Sequence, residues 1–478
     1  MARDGGQGRQ PWPDAKSFYE ERDQRTELEV AGLHRYVYTP IEIHIDPECA
    51  SDISVQRMAL LSSNLTARWA RKIRVSVPDI PLCPPLDRFG DKTLKARIER
   101  EMNEADPFGA FEIGPVEIAN EEAVRLRIGM VEATGPAGRE DYWIDVKGWS
   151  VLGRRGSVVP PVRSRNATAA TAFLAGAIGA ADVFKRAIGH RRDHWIGDVN
   201  WPTWDHCFGA EATGEHDGPV LPALVDFGSV LLAGVGAVGS SLLYILGGME
   251  FRSRMTLLDQ DCVDVSNLNR SPLFSVQDAV NCRRKTDVGA AWLKRCECEV
   301  QTLYGPWHEH AGRLSCDALD LWISLTNEGG VWAEVPFHLP PVTFHGTTTS
   351  GWGAAVGRHI PRIEDCTVCR LPRPQAEFRG PCAEGNIALS ENHAPVRASL
   401  PFLSAVSAAL LVTELQKLEF DGAQLSPNAV FVDFRYGLPT VIARTFGANN
   451  TCPGCRIVTL PRWMNHGGRG RYVSLSQI

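Results

Sequence analysis

The sequence predicts an α/β protein in two parts: a domain with a mixed sheet over residues 227–478 and a separate α/β domain over residues 1–205, with 206–226 as the linker. Three observations predict it. Residues 230–246 begin as a β-branched and leucine strand (Val230, Leu231, Leu232), pass through Gly234, Gly236 and Gly239, and continue as an apolar helix from about Val238. A second strand at 255–258 comes after that helix and ends in Asp259. Upstream, Ile41–Ile45, 72–78 and 142–152 alternate as strands do, with helical patches such as 91–104 between them.

At 478 residues the chain has room for two or three domains with substantial cores. Hydrophobic content of 44% and charged content of 22% are ordinary for a globular chain. A net charge of −6 lacks the basic excess of a protein that wraps nucleic acid, so no nucleic-acid partner is expected. Residues 229–249 carry no charge and approach the length that crosses a bilayer, but three glycines at fixed spacing and a subsequent acid suit a buried strand and helix, so no membrane span is expected. The first 24 residues read as a loose lead-in rich in glycine, proline and charge, and the first 30 lack an apolar signal core. With 13 cysteines, this predicts a reducing compartment and a cytoplasmic location.

The glycine turn is a phosphate loop. Its first two glycines let the backbone turn tightly and approach an anion, and the third lets the helix pack on its strand, with the helix N-terminal N–H groups facing that anion. Asp259 stands at the interval of about 20 residues where an acid takes ribose hydroxyls. A Rossmann-like dinucleotide dehydrogenase would share all of this. The residues just after Asp259 argue against a dehydrogenase: Asp261, Ser266, Asn267, Asn269 and Arg270 come at once, and Lys285 opens the next helix. An enzyme that splits ATP between its α and β phosphates needs such fixed cations and donors where charge develops.

The string GxGxxG, then DxDxVxxSNLxR, then a helix-opening lysine resembles the ubiquitin-activating enzymes and their relatives, the thiamin- and molybdopterin-biosynthesis adenylyltransferases, from about Phe227 to the C-terminus. The resemblance implies an active adenylation domain in which Asp259 holds the ribose, Asn267 and Arg270 hold the phosphates, Lys285 meets their charge, and Asp261 lies beside ATP and Mg²⁺. The step from Arg270 to Lys285 is slightly longer than usual, which lets Arg283 or Arg284 share the lysine's role; the bland alternative for Lys285 is a solvated helix-start lysine. One departure stands out: where these enzymes carry a metal-site aspartate after a later strand, the strand at 319–325 runs into Thr326, Asn327 and Glu328. Asn327 is a weaker magnesium ligand than a carboxylate. Either Glu328 or Asp261 assists, or turnover is slow, or the domain binds ATP without turning it over.

A helix of small residues at 168–185 is echoed by one at 398–418, the place where the family's helix comes after its reactive-cysteine loop. Two readings stand: the N-terminal half is a degenerate, inactive copy of the C-terminal half, or both are simply alanine-rich packing helices. A true copy implies a pseudo-dimer within the chain, with a homodimer as the alternative, and an arginine reaching the ATP site from the inactive half; the sequence does not single that arginine out. Residues 196–225, rich in glycine, proline and acids, read as connecting chain.

Cys366 with Cys369 and Cys452 with Cys455 form two CxxC pairs, so four thiolates can surround one tetrahedral Zn²⁺ at about 2.3 Å in a closed, structural site. Between the pairs lies Cys382, in a polar loop with Arg379. The resemblance implies a reactive cysteine there; the alternatives are a thioester with the activated protein and a surface thiol kept by a member that only adenylates. Cys296 and Cys298, near His308 and His310, have no established ligand spacing and read as structural. The combined expectation is an activating enzyme of a bacterial conjugation system: ATP and Mg²⁺ adenylate a ubiquitin-like protein, which passes through Cys382 to a conjugating enzyme. Two alternatives are an adenylyltransferase for a sulfur-carrier protein and a nucleotide-binding scaffold impaired at Asn327.

Overall fold

The structure, a computed structural model, describes residues 12, 14–115, 122–129, 140–156, 162, 164–208, 218–296, 298–314, 319–326, 331–338, 342–349, 352–370, 399–420, 427–457 and 472. In the first half, α1 (Ala15–Arg22) and α2 (Gln24–Glu29) lead into β1 (Ile41–Ile45), α3 (Ile53–Ala67), β2 (Lys72–Ser76), α4 (Leu94–Ala105), β3 (Ala110–Gly114), β4 (Val124–Ile128), β5 (Tyr142–Lys147), β6 (Ser150–Arg155), α5 (Ala169–Ala187) and β7 (Val199–Pro202). The second half opens with β8 (Val225–Ala233), α6 (Ala237–Gly247), β9 (Phe251–Asp259), α7 (Val276–Val280), α8 (Lys285–Lys294), β10 (Glu299–Tyr304), α9 (Trp307–His310) and β11 (Leu321–Ser324). It closes with α10 (Val331–Glu334), β12 (Thr343–Thr349), β13 (Gly353–His359), α11 (Thr367–Arg370), α12 (Leu403–Lys417), β14 (Ala429–Asp433), β15 (Thr440–Arg444) and α13 (Pro453–Ile457).

Both halves are α/β, as the sequence predicts; the mixed sheet expected of the second half is present, and the first half carries one too. The first sheet runs β3-β2-β1-β4-β5-β6-β7 and the second β10-β9-β8-β11-β12-β13-β14-β15. Position for position these are one plan: five parallel strands, then antiparallel neighbours, with β15 added at the edge of the second. The two small-residue helices also hold matching places, α5 after the β5–β6 pair and α12 after the β12–β13 pair.

Their composition stems from where they pack. Helix α5 lies against α3 and α12, and α12 against α6, so these helices form the layer between the two sheets. Every residue of α12 and every residue of α5 is buried, which small side chains permit at short interaxial distances. One large cluster of buried apolar residues runs through both halves, from Phe18 to Tyr472. Polar bonds cross the same layer: Arg57 Nε donates to Gly248 O at 2.8 Å, and Lys185 Nζ to Phe434 O at 2.6 Å.

The structure departs from the sequence-based expectation in three places. Residues 142–152 are not one strand but the antiparallel pair β5–β6, reversing between Lys147 and Ser150 at Gly148, whose φ of +56° sets the turn. Strands β3 and β4 were not anticipated. The stretch read as connecting chain contains β7, an edge strand whose position tolerates Pro202, and His206 is buried.

Candidate functional site

Strand β8 is where the second sheet's connections reverse, with β9 on one side and β11 on the other, so a crevice opens beyond its C-terminal end. The glycine turn lines that crevice. Gly234 has φ +97°, and a Cβ there would sit 2.8 Å from the Leu325 carbonyl. A Cβ on Gly239 would come 2.2 Å from Gly234 O, so α6 reaches the turn only because that position has no side chain. Gly236 is different: among the described residues nothing lies within 4 Å of its absent Cβ. It is also the N-cap of α6 and supplies no side-chain hydrogen bond, which leaves the helix N-terminus able to receive an anion.

Asp259 braces this turn. Its Oδ2 accepts from Val235 N at 2.6 Å and its Oδ1 from Asp261 N at 2.8 Å. Burial pushes the Asp259 carboxyl above the usual range, against the pull of the Lys285 ammonium. Lys285 opens α8, and its Nζ lies 2.7 Å from Asp261 Oδ2. The turn at Val265–Asn267 is held by a reciprocal cap: Ser266 N donates to Asp264 Oδ1 at 2.9 Å, and Asp264 N donates to Asn267 Oδ1 at 3.1 Å. Arg270 leaves the same turn, its Nη1 donating to Ser266 O at 2.6 Å and Asn269 Oδ1 at 2.7 Å.

These residues share one cavity of about 500 Å³, a size ordinary for a ligand site. Gly234, Gly236, Asp259, Asp261, Asn267, Arg270 and Lys285 all line it, while Gly239 is buried behind it. Thr347 and Thr348 of β12, with Ser399 and Ser404, line it as well. One cation comes from the other half: Arg25 of α2 also lines the cavity. Sequence reasoning missed it because nothing in the charged stretch around residues 20–29 distinguishes Arg25 from Arg22, which is buried against Asp23 and Asp106. Neither Arg283 nor Arg284 takes the lysine's place: Arg283 pairs with Asp278 at 2.7 Å, and Arg284 lies over the Tyr304 ring at 4.1 Å. Asn327, Glu328 and Cys382 lie outside the described residues.

Cys366, Cys369, Cys452 and Cys455 come together, all four Sγ atoms within 4.8 Å of one another. Neighbouring sulfurs are 3.9 Å (Cys366 to Cys369), 3.6 Å (Cys366 to Cys452) and 3.5 Å (Cys369 to Cys455) apart. A tetrahedron with metal–sulfur bonds of about 2.3 Å has edges of about 3.8 Å, so the set fits Zn²⁺. It joins α11 to α13. No other cluster of potential metal ligands occurs among the described residues, and Cys296 and Cys298 are buried.

The matching turn of the first half is built for something else. After β1 there is no glycine turn, and the Asp52 carboxylate itself caps α3, accepting from Ser54 N at 2.7 Å. A fixed anion thus occupies the helix end where a phosphate would bind. Nearby, Arg165 grips Asp145 through Nε at 2.7 Å and Nη2 at 2.8 Å.

Residues 221–311 match the ThiF family. That ThiF segment spans the glycine turn, Asp259, Arg270 and Lys285, and stops short of the four cysteines. No curated protein matches the chain. Among solved structures it is similar to the microcin C7 biosynthetic enzyme MccB in complex with N-formylated MccA, with 18% identity and a TM-score of 0.36 over 48% of this chain and 67% of that one. It is similar too to E. coli MccB with AMPCPP and MccA, at 18% identity and a TM-score of 0.36 over 48% of this chain and 66% of that one. Among the described residues no helix is long and apolar enough to cross a membrane.

Proposed function

We propose that this protein adenylates the C-terminal carboxylate of a ubiquitin-like protein with ATP and Mg²⁺. One observation carries the reading: Arg25, Arg270 and Lys285 converge on a single cavity against the glycine turn and the open N-terminus of α6. In this reading Asp259 takes the ribose, the turn and α6 take phosphate oxygens, and Asn267, Arg270 and Lys285 meet the charge on the phosphates. The partner's carboxylate oxygen attacks the α-phosphorus, the bond to the bridging oxygen breaks, and pyrophosphate leaves. Bound Mg²⁺ would neutralise phosphate charge; Asp261, which lines the cavity beside Asp259, would help hold it, and Asn327 and Glu328 come directly after Thr326, which lines the same cavity. Arg25 serves as the arginine contributed by the first half, which is read as an inactive copy because its own helix end is already capped by Asp52.

The acyl group then passes to Cys382. Its thiolate attacks the adenylate carbonyl, AMP departs, and the thioester is handed to a conjugating enzyme's cysteine. The four-cysteine set holds a structural Zn²⁺, and the domain limits are 1–205, 206–226 and 227–478. The test is to incubate the purified chain with Mg-ATP and candidate ubiquitin-like proteins and measure both pyrophosphate exchange into ATP and intact mass. Exchange that needs the partner, together with a reductant-sensitive adduct that Cys382→Ala removes, is the expected result. No exchange with a partner shown to bind would overturn adenylation, and an adduct that survives Cys382→Ala would move the nucleophile elsewhere.

A further inference from the structure

Arg25 and Arg270 reach the cavity from opposite halves of the chain, and one buried amide connects them. Asn269 is fully buried. Its Oδ1 accepts from Arg270 Nη1 at 2.7 Å, and its Nδ2 donates to Thr26 Oγ1 at 2.9 Å. Thr26 Oγ1 donates to Ser399 O at 3.2 Å, and Ser399 N donates back to the carbonyl of Arg25 at 3.0 Å.

The direction of every bond in this chain is forced. A guanidinium only donates, so the oxygen of the Asn269 amide must face Arg270 and its NH₂ must face Thr26. The threonine hydroxyl, having accepted from that NH₂, turns its single proton to the Ser399 carbonyl. Two further contacts fix the frame: Arg68 of the first half donates to Leu268 O at 2.7 Å and Pro272 O at 2.9 Å, clamping the loop that carries Asn269 and Arg270. Helix α2 is six residues long, too short to hold its own position in water, so its placement depends on such tertiary bonds.

We propose that Thr26 and Asn269 are positioning residues that lock Arg25 and Arg270 into one phosphate-binding unit across the two halves. This rests on the reading of the cavity as an ATP site. Removing the threonine hydroxyl deprives the Asn269 N–H and the Ser399 carbonyl of that partner and breaks the link that holds the two arginines in register. The loss falls on ligands that carry phosphates and spares the nucleoside, whose ribose and base do not depend on either arginine.

The experiment measures dissociation constants of Mg-ATP and adenosine for the wild type, Thr26→Val and Thr26→Ser by calorimetry on the full chain, with melting curves alongside. The expected result is at least about tenfold weaker ATP binding in Thr26→Val, adenosine binding within about twofold, and recovery in Thr26→Ser, which restores the hydroxyl. Unchanged ATP binding in Thr26→Val, or an equal loss for both ligands, would overturn the proposal. A wild type that binds adenosine but not ATP would overturn the ATP-site reading itself. If Thr26→Val does not fold, hydrogen exchange of the wild type decides: amides of residues 24–29 slow with Mg-ATP and not with adenosine, and no slowing with ATP sinks the inference.

Discussion

Lys285 and Asp261 form an ion pair at the edge of the cavity, Nζ to Oδ2 2.7 Å, in which the lysine side chain is 8% exposed and the carboxylate 59%. The asymmetry predicts how the pair behaves when broken. Removing the lysine leaves Asp261 hydrated, so Lys285→Met, which keeps the apolar stem, costs under about 1 kcal/mol of stability. In the proposed reaction its ammonium is a fixed cation facing developing phosphate charge, so partner-dependent pyrophosphate exchange is expected to fall by about 10²-fold or more. Melting curves read beside exchange rates check this. A variant that melts far below the wild type, or one that exchanges at the wild-type rate, contradicts the assignment.

Gly236 and Gly239 sit three positions apart and are glycine for different reasons. A methyl at Gly239 meets Gly234 O at 2.2 Å, so Gly239→Ala displaces the turn and lowers the melting temperature. A methyl at Gly236 meets nothing within 4 Å among the described residues, so Gly236→Ala is expected to fold and melt as the wild type does. It projects where a phosphate would lie, so ATP binding weakens by at least about tenfold, and adenosine binding is unchanged. Calorimetric titration of both ligands into Gly236→Ala checks this, and wild-type ATP affinity would place the phosphates elsewhere.

How far the sequence goes depends on whether the signal is local. The glycine turn, Asp259, Arg270 and Lys285 were legible because strand, turn and helix are neighbours in the chain and their chemistry needs fixed spacings. The four cysteines were legible for the same reason, two knuckles at a time, although their meeting is tertiary. Arg25 was not, since what distinguishes it is its approach to segments far away in the chain, stitched through Thr26 to Asn269 and Ser399. Strand β4 was missed between polar neighbours, and β7 was hidden in a stretch whose glycines and prolines read as connector, because an edge strand accepts a proline that an inner strand rejects. The echo between α5 and α12 showed the composition of two packing helices, but only the matching strand order gives those helices equivalent places.

The four-cysteine set predicts one zinc per chain. Elemental analysis of protein purified without added metal is expected to give about one equivalent, and Cys366→Ser or Cys452→Ser to lose it. Because the set ties α11 to α13, metal loss lowers the melting temperature and speeds proteolysis after β15. ATP binding is expected to persist in these variants, because none of the four cysteines lines the cavity. Metal-free protein that melts like the holo form would show that the cysteines do not hold a structural ion.

His206, just after β7, pairs with Glu414 of α12, Nε2 to Oε1 3.0 Å, both buried. Trp201 Nε1 donates to His206 Nδ1 at 3.2 Å, so the imidazole carries its proton on Nε2 and donates it to Glu414. Burial pushes the Glu414 carboxyl up, but Lys417, His206 and Arg358 together outweigh it and hold the pKa at about 2. Burial pushes His206 down, so the ring is neutral in the folded protein. Glu414 is therefore a depressed acid: its contribution is complete above the unfolded value near 4.5 and is lost as pH falls from there toward 2. His206 acts in the same direction at higher pH, because the unfolded chain takes up a proton near 6.5 that the folded ring resists. Stability thus declines in two stages on acidification, the glutamate stage on the order of 3 kcal/mol at most. Urea midpoints measured from about pH 8 to 3 check it for the wild type and Glu414→Gln. The variant is less stable at neutral pH, and its gap to the wild type narrows below about pH 4.5; a gap that stays constant down to about pH 3 would show that Glu414 is not held ionised by its neighbours.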